Sequence, residues 1–519
     1  MAKHLLKKFL WSLHRLILNL KVLRKTRLLL SGLSFLKKIT QMSKFNTTLQ
    51  KPIKVINKAG GEAYKQSKEL ELVSILLTSF VNDQFYRSSN DTLLRIKELI
   101  KQVDPMFAAK AAIFARDKFG MRSISHVLAS EIASRLGGKE WSKNFYNKII
   151  VRLDDMTEII SYYLNNNTDK SNPKFPNSMK KGFASAFDRY DGYHLAKYKC
   201  ENKEVKLVDV INIVHPTPTE KNAEALKSLI NGKLKNSETW ESKLSQAGQY
   251  DDEVDAKKAE AWKDLLESKK IGIMALLKNL RNIINQSPDS VSSACEILRD
   301  EKMIKSSRIL PFRFETAHKE IQSMGSSTEV RKCMIAIDKA LGISVNNVPK
   351  FKGETLVVID VSSSMKGKPS QIASLFGSIL AKSNMCDVMT FDRDARYVNY
   401  NPSDSVMTIK ESFTFNGGST NFHSIFTKAN KAYTNIIILS DMQGFVGKNT
   451  PTESLKNYKS KFNCDPYIYS WDLQGYGSLQ FPESKVFCLT GFSEKVFDLM
   501  SILKEDKKEL INQIKSISL

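Results

Sequence analysis

The sequence predicts a chain in two parts, an α region followed by an α/β region, and three observations carry that reading. Between Glu69 and Leu341 apolar residues recur at three- and four-residue spacings in one segment after another, the mark of amphipathic helices. After Lys350 the texture changes to short apolar runs at 356–359 and 436–439, the pattern of strands buried on both faces. Both runs end in carboxylates and hydroxyls, Asp360-Val361-Ser362-Ser363-Ser364 and Ser440-Asp441, at the position where open α/β sheets bind their ligands.

Taken in order, the chain opens on a stretch without acidic side chains, the first being Glu62. Residues 4–36 mix Leu, Ile, Phe and Trp with Lys7, Lys8, Arg15, Lys21, Arg24, Lys25 and Arg27. Their longest apolar run is far short of the roughly 20 residues of a membrane span. Residues 1–42 are read as a basic extension with three alternatives open: a tail on an acidic surface, a targeting presequence, or an upstream stretch before an internal start at Met42. Membrane contact by this extension is not expected.

Residues 43–350 form the helical part. The spacing predicts helices over 108–119, 124–136, 155–164, 178–198, 220–230, 256–267, 272–284, 291–303 and 329–341, with Gly120 and Gly137-Gly138 as stops. Helices this short bury one stripe each and must stack on neighbours. A repeat array, a solenoid, is favoured over a bundle, although no strict sequence period is visible. Residues 351–519 form the α/β part.

The chain of 519 residues carries 79 Lys and Arg against 55 Asp and Glu, a formal charge of +24. Such an excess concerns partners, chiefly nucleic acid or an acidic surface, and says nothing of fold. Cys200, Cys295, Cys333, Cys386, Cys464 and Cys488 lie far apart with no CxxC spacing, which suits reduced thiols of a cytoplasmic protein and argues against a zinc site or a disulfide framework.

Asp360, Ser362 and Ser364 project hard oxygens from one loop, a donor set suited to a divalent cation such as Mg²⁺, which keeps waters for a further ligand to displace. Residues 417–421 supply a tight turn with a hydroxyl, and 436–439 lead to Ser440-Asp441. Taken singly, Asp and Ser are also ordinary strand-end and N-cap residues. Hydrolysis is the competing idea for the carboxylates, but no second poised acid or base accompanies them. Together the three elements resemble the metal-ion-dependent adhesion site of a von Willebrand factor A domain. That resemblance implies ligand roles for Asp360, Ser362, Ser364, Thr420 and Asp441 in a Rossmann-like domain, with Cys386 to Phe391 and Tyr467 to Trp471 as further strands of its sheet.

A second resemblance rests on Asn177-Ser178-Met179-Lys180-Lys181-Gly182-Phe183-Ala184, Tyr193-His194-Leu195-Ala196-Lys197-Tyr198 and Val214-His215-Pro216-Thr217-Pro218. Met121-Arg122-Ser123-Ile124-Ser125-His126 and Gly491-Phe492-Ser493-Glu494-Lys495-Val496-Phe497 extend it. Over residues 43–519 the chain resembles the Ro 60 kDa autoantigen family, apart from its basic extension and a long polar stretch around 232–255. The resemblance implies a ring-shaped solenoid of HEAT-like helical repeats followed by a von Willebrand A domain. It implies a TROVE module that binds small structured noncoding Y RNAs on a basic outer surface and admits 3′ ends of misfolded RNAs to a central hole, in RNA quality control.

The expected RNA-binding residues are Lys180, Lys181, His215, Arg122, His126, Lys197 and His194. Between Lys174 and Lys199, Lys174, Lys180, Lys181, Arg189, Lys197 and Lys199 outnumber Asp188 and Asp191, as a phosphate-contacting surface requires. The plainer alternative is a solvated helical face for each lysine, and a packed helix position for His126 or His194. No histidine, His423 included, has the acid and nucleophile that hydrolysis needs. The chain is therefore read as a non-catalytic RNA-binding ribonucleoprotein component that can tether RNA to an RNA-degrading enzyme. The alternative is a metal-dependent protein-interaction scaffold.

Overall fold

The computed structural model describes residues 52–79, 88–166, 174–235, 240–248, 254–269, 271–307, 309, 311–344, 350–447, 450–482, 486–490, 496, 500 and 509–519. The basic extension 1–42 and most of the segment 491–497 lie outside them. Residues Lys54–Leu519 make one structural unit.

Two short strands come first, β1 (Lys54–Ile56) and β2 (Glu62–Lys65), paired antiparallel. From Lys68–Thr78 to Thr328–Ser344 helix then follows helix. Side-chain caps fix their starts: Ser67 accepts from Leu70 N, Ser88 and Asp91 form a capping box, and Asp104 caps Pro105–Asp117 with proline at the first turn. Most predicted helices are present with shifted ends, for instance Asp154–Asn165, Val254–Glu267 and Ile273–Gln286. Two differ for a local reason. The stretch 178–198 is two helices, Asn177–Ala186 and Gly192–Lys197, because Asp191 accepts from His194 N and starts a new helix. The stretch 291–303 breaks likewise into Val291–Arg299 and Glu301–Ser307, where Asp300 Oδ1 accepts from Met303 N at 3.0 Å.

Helices Ser142–Ile149 and Asn177–Ala186 approach closely at Gly182. A Cβ there would collide with Tyr146 Cβ and stand 2.7 Å from the Lys143 carbonyl. Gly182→Ala is expected to cost about 1–3 kcal/mol, read as a lower urea midpoint; an unchanged midpoint would show that the two helices can separate freely.

The α/β part contributes β3 (Thr355–Asp360), β4 (Asp387–Phe391), β5 (Ala395–Val398), β6 (Asn435–Ser440), β7 (Tyr467–Asp472), β8 (Ser478–Leu479) and β9 (Phe487–Thr490). All of these but β8 form a six-stranded sheet in the order β5-β4-β3-β6-β7-β9. Its neighbours run parallel except β5, which pairs antiparallel with β4 at one edge. Side chains alternate between two faces. Val357, Ile359, Ile437, Leu439 and Trp471 join a core continuous with the helical part, while Leu356, Val358, Ile436 and Ile438 meet Phe391, Phe422 and Tyr458.

The division expected at 350 is interleaved in space. Strand β2 pairs with β8, so residues 54–65 belong to a three-stranded sheet built partly from the C-terminal part. Tyr64 OH lies 3.0 Å from the hydroxyls of Thr450 and Thr452. Thr490 Oγ1 donates to Ser74 O in the first helix. Helix Glu509–Lys515 packs on Pro105–Asp117, with Lys110 Nζ donating to Lys515 O at 2.6 Å and Lys515 paired to Glu69 at 2.8 Å. From the other side, Lys410 of helix Val406–Glu411 reaches the buried Glu315 of Pro311–Gln322 at 2.9 Å. The α/β part thus touches the first helix of the array and its last two, Pro311–Gln322 through Lys410 and Thr328–Ser344 through helix Val406–Glu411. Among the described residues no helix is long and apolar enough to cross a membrane.

Candidate functional site

Strand β3 ends at Asp360 in the middle of the sheet, and the backbone then turns through the short helical turn Ser363–Met365. Asp360 Oδ1 accepts from Ser362 N at 2.9 Å and Oδ2 from Ser440 Oγ at 2.5 Å, while Ser362 Oγ and Ser364 Oγ stand 3.3 Å apart. The turn at Gly417, in the left-handed region at φ 72°, brings in Thr420. Ser363 N donates to Gly418 O, and Phe445 N and Val446 N donate to Thr420 O, so three loops are tied together. Asp441 follows β6, its Oδ1 accepting from Gln443 N at 3.1 Å. Asp360, Ser362, Ser364, Thr420 and Asp441 are all at most 3% exposed.

Burial, then the Asp441 charge, pushes the Asp360 carboxyl up to about 7. Burial also pushes Asp441 up, against a hydrogen bond from Ser364 and with help from Asp472. Asp441 Oδ2 has no hydrogen-bond partner. Two carboxylates buried together, three hydroxyls and an orphaned acceptor form a donor set that a hard cation fits, since a positive charge would relieve both the desolvation and the repulsion. Among the described residues no group of three or more His, Cys, Asp or Glu is placed to hold a metal ion, so a cation here would draw on hydroxyls as well as the two carboxylates. Sequence reasoning missed two residues here. Ser440 positions Asp360, and Asp472, at the end of β7, accepts from Gln474 N and Gly475 N beside the site. Their signal was present, an oxygen-bearing residue at each strand end.

The expected RNA-binding residues fall into two groups. Lys180 is half-buried and Lys181 exposed on Asn177–Ala186. That helix packs against Leu207–Val214, whose C-terminal cap is the exposed His215. On Gly192–Lys197, Lys197 Nζ lies 5.6 Å from the Tyr193 ring and 5.7 Å from that of Tyr198, and the Arg152 guanidinium lies 4.9 Å from the Tyr198 ring. His194 Nδ1 sits 2.7 Å from Asp191 Oδ1. Lys197 and Arg152 thus lie against the rings of Tyr193 and Tyr198.

Arg122 and His126 belong elsewhere. His126 is 3% exposed with Nε2 at 3.2 Å from Asp155 Oδ1, so it is a core histidine and not an RNA-facing one. Arg122 is bound through Nε to Asp155 and through Nη2 to Asp154. Lys199 and Arg189, counted toward the positive surface, are used internally: Lys199 Nζ donates to Leu234 O, and Arg189 to the carbonyls of Asn147 and Ile150.

A stacked array of short helices joined to a mostly parallel sheet with a strand-end oxygen site defines a mixed α plus α/β protein. A model of the TROVE domain family matches residues 37–232 and 231–368, and the chain belongs to that family. The Ro (Rsr) protein of Deinococcus radiodurans, known from its crystal structure, superposes with a TM-score of 0.57 at 16% identity, covering 84% of this chain and 99% of that one. Telomerase protein component 1 of Mus musculus is 21% identical over 348 aligned residues, and that of Rattus norvegicus 22%. Each alignment covers 50% of this chain but only 13% of the relative's length.

Proposed function

We propose that the chain is a non-catalytic RNA-binding protein that takes small structured noncoding RNAs, Y-like RNAs, on its basic face and serves RNA quality control in the cytoplasm. The observation that carries this is the exposure of Lys181, Lys197 and His215, with the Tyr193 and Tyr198 rings beside Lys197, inside the segment that the TROVE model matches. Cations on aromatic faces bind backbone phosphate and stack bases without need of catalysis. The helical array closes into a ring through the α/β part, a reading supported by that part's contacts to first and last helices. Single-stranded 3′ ends of misfolded RNAs enter such a ring, and an RNA-degrading enzyme is the partner that would consume them.

The α/β part acts as a von Willebrand factor A domain in which Asp360, Ser362, Ser364, Thr420 and Asp441 hold a divalent cation, Mg²⁺ by the hardness of their oxygens. A cation so held supplies an open position for a carboxylate from a protein partner. The buried, partnerless Asp441 Oδ2 supports that reading, and with it a second role as a metal-dependent interaction scaffold.

The test is salt-dependent binding of a stem-containing RNA. Replacing Lys180, Lys181 and His215 together is expected to weaken binding and to lower the salt slope by about 0.7–0.9 for each phosphate that is no longer neutralised. A folded triple variant with wild-type affinity and slope would remove this face from the interface.

A further inference from the structure

We propose that the hairpin of β1 and β2, which precedes the helical array, holds the strand-end cation site in its binding geometry, with Asn57 and Gly61 as positioning residues; the inference rests on the metal-site reading above. The loop that carries Asp441 continues through Met442, which stands in the left-handed region at φ 59°. A non-glycine residue keeps that conformation only where its surroundings impose it. The hairpin is a large part of those surroundings.

Asn57 is 7% exposed. Its Oδ1 closes its own turn, accepting from Ala59 N at 3.0 Å and Gly61 N at 2.9 Å, while its Nδ2 donates to Gly444 O at 2.5 Å in the Asp441 loop. Lys58 N donates to Gln443 Oε1 at 2.8 Å in the same loop. Gly61 permits this approach, because a Cβ there would stand 2.1 Å from Gly444 O and 2.6 Å from Phe445 Cα.

Two links carry the contact to the cation donors. Gln443 is fully buried, and its side chain is fixed at both ends: Oε1 on Lys58 N, and Nε2 donating to Ser478 Oγ at 3.0 Å and to Asp441 O at 3.2 Å. Ser478 belongs to β8, where it pairs with Lys65 of β2, so the hairpin sets this end as well. Gln443 N in turn donates to Asp441 Oδ1 at 3.1 Å, which orients the carboxylate whose Oδ2 has no hydrogen-bond partner. The second link runs through Phe445 N and Val446 N, which donate to Thr420 O, so the residue that Gly61 touches also ties down the Thr420 loop. Neither Asn57 nor Gly61 is among the five proposed ligands. Groups that orient ligands in this way are worth about 10–100-fold in metal affinity.

Asn57→Asp keeps the acceptor that closes the turn and sets an oxygen against Gly444 O where a donor stood; Gly61→Ala forces hairpin and loop apart. Calorimetric titration of the full chain with Mg²⁺ is expected to show affinity about 10–100-fold weaker in both variants, although both retain every proposed ligand. Binding free energies couple reciprocally. Saturating Mg²⁺ is therefore expected to slow hydrogen exchange of the Lys58 and Gly61 amides in wild type, by up to the same factor. A hairpin that merely supported the fold would not show that response, and the measurement needs no variant to fold. Folded variants with wild-type Mg²⁺ affinity, or wild-type exchange at residues 54–65 that is indifferent to Mg²⁺, would overturn the positioning role while leaving the metal site in place. A wild type that shows no heat of Mg²⁺ binding would instead defeat the metal-site reading, and the positioning role with it.

Discussion

Asp155→Ala is expected to destabilise the fold by about 3–5 kcal/mol, a large share of the roughly 5–15 kcal/mol by which domains are stable. Asp155 is fully buried and is the acceptor on which several chains of donors converge. Arg116 Nη2 reaches it at 2.9 Å and Arg122 Nε at 3.0 Å, His126 Nε2 lies at 3.2 Å, and the backbone N–H groups of Val151 and Arg152 donate at 3.0 and 2.9 Å. Alanine would leave the Arg116 guanidinium, itself buried, without a counter-charge. Burial alone would raise the Asp155 carboxyl, but the His126 hydrogen bond and the Arg116 and Arg122 charges override it and hold the group well below the ordinary carboxylate range. Its contribution is therefore full above the ordinary pKa near 3.9 and is lost as pH falls through the depressed folded value. Urea unfolding of wild type and Asp155→Asn should differ by a constant amount from pH 8 to about 5, with the gap narrowing only in stronger acid. Equal midpoints at pH 7 would show that the cluster contributes nothing.

That cluster also shows where sequence reading stops. His126 stands three residues after Ser123 on a helix, and nothing local distinguishes a core histidine from an RNA-facing one; its burial depends on Asp155, a distant partner brought near by folding. Strands β3 and β6 were legible because each holds a continuous apolar run buried on both faces, whereas β4, with Asp387 and Thr390, and β7, with Ser470, were expected only from the von Willebrand A resemblance. Strands β1, β2 and β8 were not, since Glu62-Ala63-Tyr64-Lys65 has no such run and its strand character comes from pairing Tyr64 with Leu479, far along the chain. Asp360, Ser362 and Ser364 were legible as one loop. Ser440 was read only as the neighbour of Asp441, because its hydrogen bond to Asp360 joins two strand ends that only the parallel register brings together. The division at 350 marks a real change of texture, yet the first helix and the C-terminal residues share an interface that no local pattern announces.

At the strand-end site, Asp360→Asn is expected to abolish divalent-cation binding while making the metal-free fold more stable. The substitution removes a charged oxygen from a donor set otherwise made of Asp441 and hydroxyls, so calorimetric titration with Mg²⁺ should show no heat of binding where wild type shows it. In the metal-free protein the same carboxylate is a burden, because burial and Asp441 raise it to about 7. Stability that is full below the ordinary carboxylate pKa is lost as pH rises through that folded value, so metal-free wild type should fall behind Asp360→Asn between pH 5 and pH 8. Cation affinity should weaken on acidification below about 7, as protons compete for the pair. Whether RNA binding depends on this site must be asked of the whole chain. Cutting near Pro349 would strip β8 from β2 and helix Glu509–Lys515 from Pro105–Asp117, uncovering apolar surface on the first helices. Full-length Asp360→Asn is expected to bind a structured small RNA with wild-type affinity, since the residues proposed to contact RNA lie on Asn177–Ala186, on Gly192–Lys197 and at His215. Undiminished Mg²⁺ binding by the variant would discard the metal centre, and loss of RNA binding in a variant that remains folded would discard the division of labour between the two parts.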